Sequence, residues 1–250
     1  MIEAVQVCKT FDKNEVLKGI STVFEKGRTN LIIGQSGSGK TVLLKSLVGL
    51  HEVTSGDVLY DGRSFLNMNN RERKKLRQEI GMLFQGSALF DSMTVEENVK
   101  FPLDMFTNFS EEEKLERTNF CLERVKIENA NKLFPSEISG GMQKRVAIAR
   151  AISLNPKYLF CDEPNSGLDP RTSIVIDELI QEITHEFGMT TIINTHDMNS
   201  VMGIGEKIIF IYEGEKQWEG TKDDIFNVKN QQLEDFIFAS KLFKKVKDSQ

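Results

Sequence analysis

Eight consecutive residues have the types and the spacing of a phosphate-binding loop, namely Gly34-Gln35-Ser36-Gly37-Ser38-Gly39-Lys40-Thr41. They match the pattern G-x-x-x-x-G-K-[ST] in full, and they follow an apolar strand-like run and precede a helical pattern. The glycines let successive backbone N–H groups turn toward phosphate oxygens, and the helix start adds its positive dipole end. Lys40 is expected to reach the β- and γ-phosphates, and the Thr41 hydroxyl to ligate Mg²⁺. The loop therefore predicts a nucleoside triphosphate site.

A second stretch, Tyr158-Leu159-Phe160-Cys161-Asp162-Glu163, predicts an apolar strand that ends in two carboxylates. Asp162 is expected to hold Mg²⁺ through its water shell. Alternation along a strand predicts that Glu163 points the other way, toward the γ-phosphate, where it would polarise the attacking water as a base. The alternative is a carboxylate pair that only caps the end of a strand.

Two further polar residues close apolar runs. Gln85 follows the strand-like IGMLF (80–84), and its amide is able to contact both Mg²⁺ and the attacking water. His196 ends the strand-like TTIINTH (190–196), and a neutral imidazole there would hydrogen-bond the γ-phosphate or orient Glu163 and the water. Each residue alone is weak evidence, since a single strand-end histidine is more often structural.

The stretch ISGGMQKRVAIAR (138–150) predicts a second glycine-rich anion-binding site. Ser139-Gly140-Gly141 opens an apolar-striped helix, whose first N–H groups are natural donors to an anion. The alternative is that Ser139 merely caps this helix.

The elements that must position these residues alternate along the chain. The strand-like runs are LIIG (31–34), KYLFCDE (157–163), TTIINTH (190–196) and KIIFIY (207–212), and helical patterns follow at TVLLKSLVGL (41–50) and SIVIDELIQEITHEF (173–187). Near-continuous apolar strands between helices predict a parallel sheet buried on both faces. The first 25 residues and DVLYDGRSF (57–65) predict short antiparallel strands, and residues 91–153 a polar helical insert. We expect one domain over 1–225 and a helical tail over 226–250.

Composition limits the classes of protein to which the chain is expected to belong. The 250 residues are 39% hydrophobic, enough for a sizeable core, and the net charge of -5 argues against a nucleic-acid partner. Cys8, Cys121 and Cys161 form no metal-binding or disulfide-like spacing, so Cys161 is interpreted as a small buried hydrophobe in a reducing cytoplasm. The N-terminus lacks a signal pattern, and the longest apolar runs are far too short to span a bilayer. Any membrane role is therefore expected to come through a partner.

Taken in order, these motifs resemble the ATPase subunit of ABC transporters over nearly the whole chain. The resemblance implies an α/β P-loop NTPase with a RecA-like, mostly parallel sheet, an N-terminal antiparallel β subdomain and an inserted α-helical subdomain at about 91–153. It implies ATP hydrolysis with Mg²⁺. The roles that it implies are adenine stacking by Phe11, the Q-loop residue Gln85, the Walker B aspartate Asp162, the catalytic Glu163, the D-loop Asp169 and the switch histidine His196.

The resemblance also implies a quaternary structure. In this family the signature residues, here Ser139, Gly140 and Gly141, grip the γ-phosphate of ATP bound to a second subunit, which predicts a two-fold homodimer with ATP at its interface. The insert around 86–107 would receive a membrane permease subunit, and FPLDMF (101–106) is apolar enough for that groove. Simple core packing is the alternative for Phe101 and Leu103.

A narrower resemblance concerns the cargo. Met142 followed by Lys144-Arg145, with the stretches 84–103, 166–180 and 194–200, resembles the ATPases of Mce-associated (Mla-type) lipid transporters. This implies phospholipid, or another hydrophobic molecule, as substrate, with Mce-domain and periplasmic or outer-membrane lipid-carrier partners. It places the chain peripherally at the cytoplasmic face of the inner membrane. Asn165 departs from the family's usual threonine.

Two alternatives stay open. One is the ATPase of an importer for an amino acid or another small solute. The other is a soluble ABC protein acting on DNA or ribosomes, which the single ATPase half, the absence of a long inserted arm and the acidic balance disfavour.

The tail QLEDFIFASKLFKKVK (232–247) places Leu233, Phe236, Ile237 and Ser240 at helical spacing, with lysines after them. It is interpreted as a partner-docking or dimer-bridging helix, as a basic helix on a membrane surface, or as a helix packed on its own domain.

Overall fold

The computed structural model describes residues 1–227 and 230–238. The strands in these residues are β1 (Ile2–Phe11), β2 (Asn14–Phe24), β3 (Thr29–Ile33), β4 (Ser55–Tyr60), β5 (Arg63–Ser64), β6 (Ile80–Leu83), β7 (Tyr158–Asp162), β8 (Thr190–Asn194), β9 (Lys207–Tyr212) and β10 (Glu215–Gly220). The helices are α1 (Lys40–Val48), α2 (Asn70–Gln78), α3 (Val95–Phe106), α4 (Glu111–Arg124), α5 (Gly140–Ile152), α6 (Pro170–Phe187), α7 (Met198–Ile204) and α8 (Gln231–Ile237), and 3-10 turns span Pro135–Glu137 and Ile225–Asn227. Over the described ranges, none of the helices has the length and hydropathy that crossing a bilayer requires.

The chain divides into two compact units. The first unit combines residues 1–25, 29–67 and the chain from residue 194 onward. Its N-terminal part is an antiparallel sheet in the order β2-β1-β4-β5, in which Ile2 pairs with Phe24 on one side and Tyr60 on the other. The expected antiparallel strands are therefore present.

In the same unit, β3 pairs in parallel with β9, and β9 pairs antiparallel with β10. Leu31, Ile32 and Ile33 are fully buried, and so are residues 208–211 of β9. Strands buried on both faces need continuous apolar sequence, because neither face can carry polar side chains to water. This explains why LIIG and KIIFIY are uninterrupted apolar runs.

The second unit comprises residues 26–28 and 68–193. It contains the strand run β8-β7-β6, with β6 and β7 parallel. Helices α3, α4 and α5 lie within 91–153, where the sequence predicted a helical insert. The alternation of parallel strands with helices confirms the expected α/β class. Helix α2 was not predicted, although Asn69 and Glu72 form a capping box that marks its start.

Cys161 is fully buried in β7, and burial raises the pKa of its thiol. This agrees with its interpretation as a small core residue. In the tail, the Leu233 and Ile237 side chains of α8 are buried, and the Phe236 ring lies 5.6 Å from Phe210 of β9. The described part of the tail thus packs on its own unit, and Ser240 with the lysines after it lies outside the described residues.

Candidate nucleotide site

The phosphate-binding loop connects β3 to α1 in the first unit, as the sequence predicts. Gly34, Gly37 and Gly39 all have positive φ, at 149°, 81° and 105°. At Gly34 a Cβ would lie 2.2 Å from the Ile211 carbonyl oxygen, so only glycine fits. The path of the loop is therefore fixed by backbone sterics that other residues cannot satisfy.

Polar groups converge inside this loop. Lys40 is 6% exposed, and its Nζ donates to the carbonyl oxygens of Gly34 and Gln35, each at 2.8 Å. Ser38 is also 6% exposed, and among the described residues its Oγ has no hydrogen-bond partner. An orphaned buried hydroxyl is costly unless a ligand satisfies it. The loop therefore has the buried cation and the orphaned hydroxyl that an incoming phosphate oxygen would satisfy.

The Thr41 hydroxyl is positioned by a residue that the sequence analysis missed. Asn194, fully buried at the end of β8, donates from Nδ2 to Thr41 Oγ1 at 3.0 Å. In the sequence, the only sign of a role for Asn194 is that its amide side chain ends an apolar run. A hydroxyl held in this way is one of the hard oxygen donors that Mg²⁺ prefers.

Two further predicted residues lie in the first unit. Strand β8 ends at Asn194, so the expectation that His196 ends the strand is wrong. His196 is exposed, in the loop before α7. Phe11, at the end of β1, is 38% exposed, with Lys9 Nζ 4.7 Å from its ring centroid and His51 edge-on at 5.3 Å. An exposed ring in a basic setting is suited to stacking on a purine.

The two carboxylates of the second stretch lie in the second unit. Asp162 is the last residue of β7 and is 7% exposed. Glu163 has φ of 48°, which takes the chain out of the strand immediately after Asp162. Strand alternation therefore does not apply to Glu163, because β7 ends at Asp162 and Glu163 has a left-handed backbone conformation.

Gln85 is linked to the segment that carries Glu163. Its Nε2 donates to Ser166 Oγ at 3.2 Å, and the Ser166 main-chain N–H donates to the Glu163 carbonyl at 3.1 Å. The Gln85 carbonyl in turn accepts a hydrogen bond from Lys144 Nζ of α5. The structure thus connects Gln85, Glu163 and the helix after Ser139. Sequence reasoning used Lys144 only for the cargo resemblance and gave no separate role to Ser166.

The signature residues open α5. Ser139 is its N-cap and accepts from Met142 N at 3.3 Å, so the capping interpretation is correct, yet Ser139 and Gly140 remain exposed. A Cβ on Gly141 would lie 2.8 Å from Thr172 Cγ2 of α6, so Gly141 lets the two helix starts approach closely. Capping therefore leaves the helix N-terminus accessible to an anion.

Asp169 begins the neighbouring helix. It caps α6 by accepting from the N–H groups of Arg171 and Thr172, and the Thr172 hydroxyl also donates to it. These hydrogen bonds, the side-chain one first, lower the pKa of the Asp169 carboxyl. The start of α6 is thereby fixed beside Gly141.

The predicted site residues fall into two sets. The first unit contains Phe11, the loop 34–41 and His196, and the second contains Gln85, Ser139-Gly140-Gly141, Asp162, Glu163 and Asp169. Within the described ranges, no three His, Cys, Asp or Glu side chains cluster as a metal site. The Mg²⁺ ligands expected from sequence accordingly include a hydroxyl and an amide.

Known proteins are similar in sequence to this chain over most of its length. The model of the family described as ABC transporter matches residues 17–166. The methionine import ATP-binding protein MetN of Campylobacter jejuni is 36% identical over 256 aligned residues, which cover 96% of this chain and 76% of the relative. That of Latilactobacillus sakei is 38% identical over 230 residues, 90% of this chain and 67% of the relative.

Solved structures show the same fold. A dimer of the ATP-binding cassette MJ0796 in a post-hydrolysis state, bound to ADP and Pi, has a TM-score of 0.80 and 34% identity over 89% of this chain and 99% of its own. Cbio1 of Clostridium perfringens, part of the ABC transporter complex cbiONQ, has a TM-score of 0.85 and 29% identity over 98% of both chains.

Proposed function

The chain belongs to the ABC transporter family and hydrolyses ATP, and from this premise we propose that it energises the import of a small amino-acid solute of the methionine class. The supporting observation is the 36–38% identity to methionine import ATPases over 90–96% of the chain. This favours the importer that the sequence analysis kept as its alternative.

The lipid-transport expectation is the weaker of the two. It depended on Met142 and on short stretches around the shared motifs. The relatives named above are methionine importers and not Mce-associated ATPases, so Met142 does not identify the cargo. Phospholipid, Mce-domain proteins and lipid carriers are therefore not proposed as partners.

In the proposed site, the loop 34–41 surrounds the phosphates of ATP. Lys40 would exchange its two carbonyl contacts for phosphate oxygens, and the orphaned Ser38 hydroxyl would gain an acceptor. Phe11 would stack on the adenine. Binding would then give the buried Ser38 hydroxyl the hydrogen-bond partner that it lacks among the described residues.

A hydroxyl that is held in place suits a hard divalent cation. Thr41, oriented by Asn194, would be a ligand of Mg²⁺, which neutralises charge on the β- and γ-phosphates when bound. Asp162 and Gln85 are proposed, from the sequence resemblance, as further oxygen ligands. The donor set of hydroxyl, carboxylate and amide fits that ion.

Glu163 is the proposed base for the attacking water, with Gln85 as a polar group that orients it. Gln85 is suited to this because its amide already reaches Ser166, three residues after Glu163. His196 of the first unit keeps the role of switch histidine that the sequence resemblance implies. Ser139 and Gly140 are exposed at a helix start, as expected of a grip on the ATP of a second copy in a two-fold dimer.

The partner is a membrane permease, which would locate the chain at the cytoplasmic face of the membrane. The second unit has a cavity of about 420 Å³ lined by Asn70, Arg73, Lys74 and Arg77 of α2 and by Phe106 of α3. Met105 and Phe106 are 60% and 42% exposed, whereas Leu103 is fully buried in the core. A basic cavity beside apolar side chains fits a permease segment with a carboxylate and an apolar anchor.

The proposal is tested with the chain and its own permease purified together and reconstituted in proteoliposomes. Uptake of labelled methionine that requires internal ATP supports the proposal. Release or transfer of labelled phospholipid without amino-acid uptake would overturn the proposed cargo. If the chain purified with nucleic acid in place of a membrane protein, the proposed role in transport would be overturned.

A further inference from the structure

The main chain directly after Gln85 is held by two cations of helix α5. Lys144 Nζ donates to the carbonyl of Gln85. Arg150 donates from Nη2 to Ser87 O at 2.9 Å and from Nη1 to Ala88 O at 2.7 Å. Two side chains of one helix therefore bind three carbonyl groups within four residues, 59 to 63 positions away in the sequence.

These carbonyls belong to a backbone that needs support. Ser87 and Ala88 have φ of 62° and 49°, a left-handed conformation that non-glycine residues adopt only at a cost. Lys144 is 4% exposed, and burial lowers the pKa of both cationic groups. Buried cations require hydrogen-bond acceptors, so the loop and the helix each satisfy the other.

The following residues are fixed from a different helix. Asn98 of α3 is fully buried, donates from Nδ2 to the carbonyls of Phe90, Met93 and Thr94, and accepts from Phe90 N. Helix α3 starts after Thr94, and Asn98 lies one turn inside it. The Arg150 guanidinium also lies 5.7 Å from the Phe90 ring, so it spans both halves of the loop.

Helix α5 is a rigid connection between these contacts and the signature residues. Ser139 caps its start, and Arg117 of α4 caps its end with bonds to the Ile152 and Ser153 carbonyls, each at 2.9 Å. A continuous helix does not compress, so a displacement at one end is transmitted to side chains further along.

We infer that Lys144 and Arg150 are positioning residues, through which a movement of the signature end of α5 repositions Gln85 and its contact to Ser166. The inference rests on the proposed function, because it assigns these residues to the control of Gln85. Binding of a second copy at Ser139 would thereby be transmitted, through α5 and Gln85, to the segment that carries Glu163.

The test is a nitroxide at Gly86, which is exposed and whose added Cβ meets no atom within 4 Å. Gly86→Cys is labelled in a Cys8→Ser background, because Cys121 and Cys161 are buried. Arg150→Met and Lys144→Met are expected to shorten the label's rotational correlation time at least about twofold, as for an unrestrained loop. Arg145→Met is the matched control, because Arg145 lies on the same helix but donates to Lys126 O.

The same variants, unlabelled, are expected to lose about 10- to 100-fold in kcat, while KM for ATP stays within about twofold. Circular dichroism establishes that each variant is folded, and Arg150→Lys, which keeps one cationic donor, should fall between parent and Arg150→Met. The inference would be overturned if the nitroxide spectrum were unchanged in both Arg150→Met and Lys144→Met while both are folded. It would also be overturned if the loop became mobile while kcat stayed at the parental value. A wrong cargo would leave both readouts intact, which separates this test from that of the proposed function.

Discussion

The side-chain amide of Gln85 donates a hydrogen bond to Ser166 Oγ at 3.2 Å. This bond joins the loop after β6 to the loop after β7, and the Ser166 main chain returns to the Glu163 carbonyl. Gln85, in the loop after β6, is thus linked through Ser166 to the main chain of Glu163, the proposed base after β7. The relationship makes Glu163 the first residue to test.

Glu163→Gln should lower kcat by about 10²- to 10⁴-fold, because an amide cannot accept the proton of the attacking water. ATP binding should persist, and the ATP-bound dimer should accumulate. Steady-state hydrolysis and gel filtration with ATP measure both. Glu178→Gln, the same change at an exposed position of α6, is the control, and parental turnover by Glu163→Gln would rule out the base assignment.

Ser38→Ala should weaken ATP binding about fivefold, because the loss of one hydrogen bond costs about 1 kcal/mol of binding free energy. The Tm of the protein without nucleotide should not fall, because the Ser38 hydroxyl has no partner to lose among the described residues. Ser46→Ala is a close control, since Ser46 Oγ is also buried and orphaned but lies further along α1. Equal effects of the two variants on ATP affinity would contradict a phosphate contact at Ser38.

Gly141→Ala should lower the free energy of unfolding by about 1–3 kcal/mol through overpacking. This corresponds to a decrease in Tm of about 2–10 °C. The added methyl meets Thr172 Cγ2 at 2.8 Å, so Thr172→Ser, which removes that methyl and keeps the hydroxyl, should restore stability. At Gly140 the nearest atom to a Cβ is Leu168 Cδ2 at 3.8 Å, and Gly140→Ala should be stable. Failure of the double variant to recover would show that packing is not the reason for glycine.

Glu219 should make the first unit sensitive to acid. Burial opposes the charge of this carboxylate, but hydrogen bonds from Lys207, Lys216 and Thr22 outweigh it and lower its pKa to about 2. A lowered pKa stabilises the fold above the ordinary value near 4.5, and this stability is lost as the pH falls from there toward 2.

Glu219→Gln should therefore reduce the loss of stability between pH 6 and pH 3 by about 1 kcal/mol or less, since solvent screens this partly exposed group. Urea unfolding at both pH values measures the difference. Glu215→Gln removes a carboxylate from the same strand without touching these lysines and serves as the control. An unchanged pH dependence in Glu219→Gln would show that the lysine contacts do not stabilise the fold.

Charge reversal at the α2 cavity should weaken the complex with the permease. Lys74→Glu with Arg77→Glu replaces two cations that line it, and we expect at least about a tenfold loss of affinity with a smaller salt dependence. Lys75→Glu lies on the same helix outside the lining and should bind like the parent. Titration of the purified permease in detergent at two salt concentrations measures this, and equal loss in all variants would exclude a specific docking role.

Short-range signals in the sequence were sufficient to predict many of the strands and helices and to name the candidate site residues. The loop 34–41 was predicted residue by residue, because its glycines and its lysine are each required by the backbone path or by phosphate. The buried strands were predicted because both faces of β3, β7 and β9 must be apolar. The cap at Ser139 was the alternative that residue type alone raised.

The tertiary structure decided what depends on contacts between distant residues. The φ of Glu163 contradicted strand alternation, and Asn194 became the partner of Thr41 across 153 positions. Lys144 and Arg150 bind the Gln85 loop, and Gly141 meets Thr172, only because of how α5 packs on its neighbours. Local sterics and burial periodicity are set by adjacent residues and are present in the sequence itself. Which distant side chains meet is set by helix and sheet packing, and a single sequence carries no record of those distances.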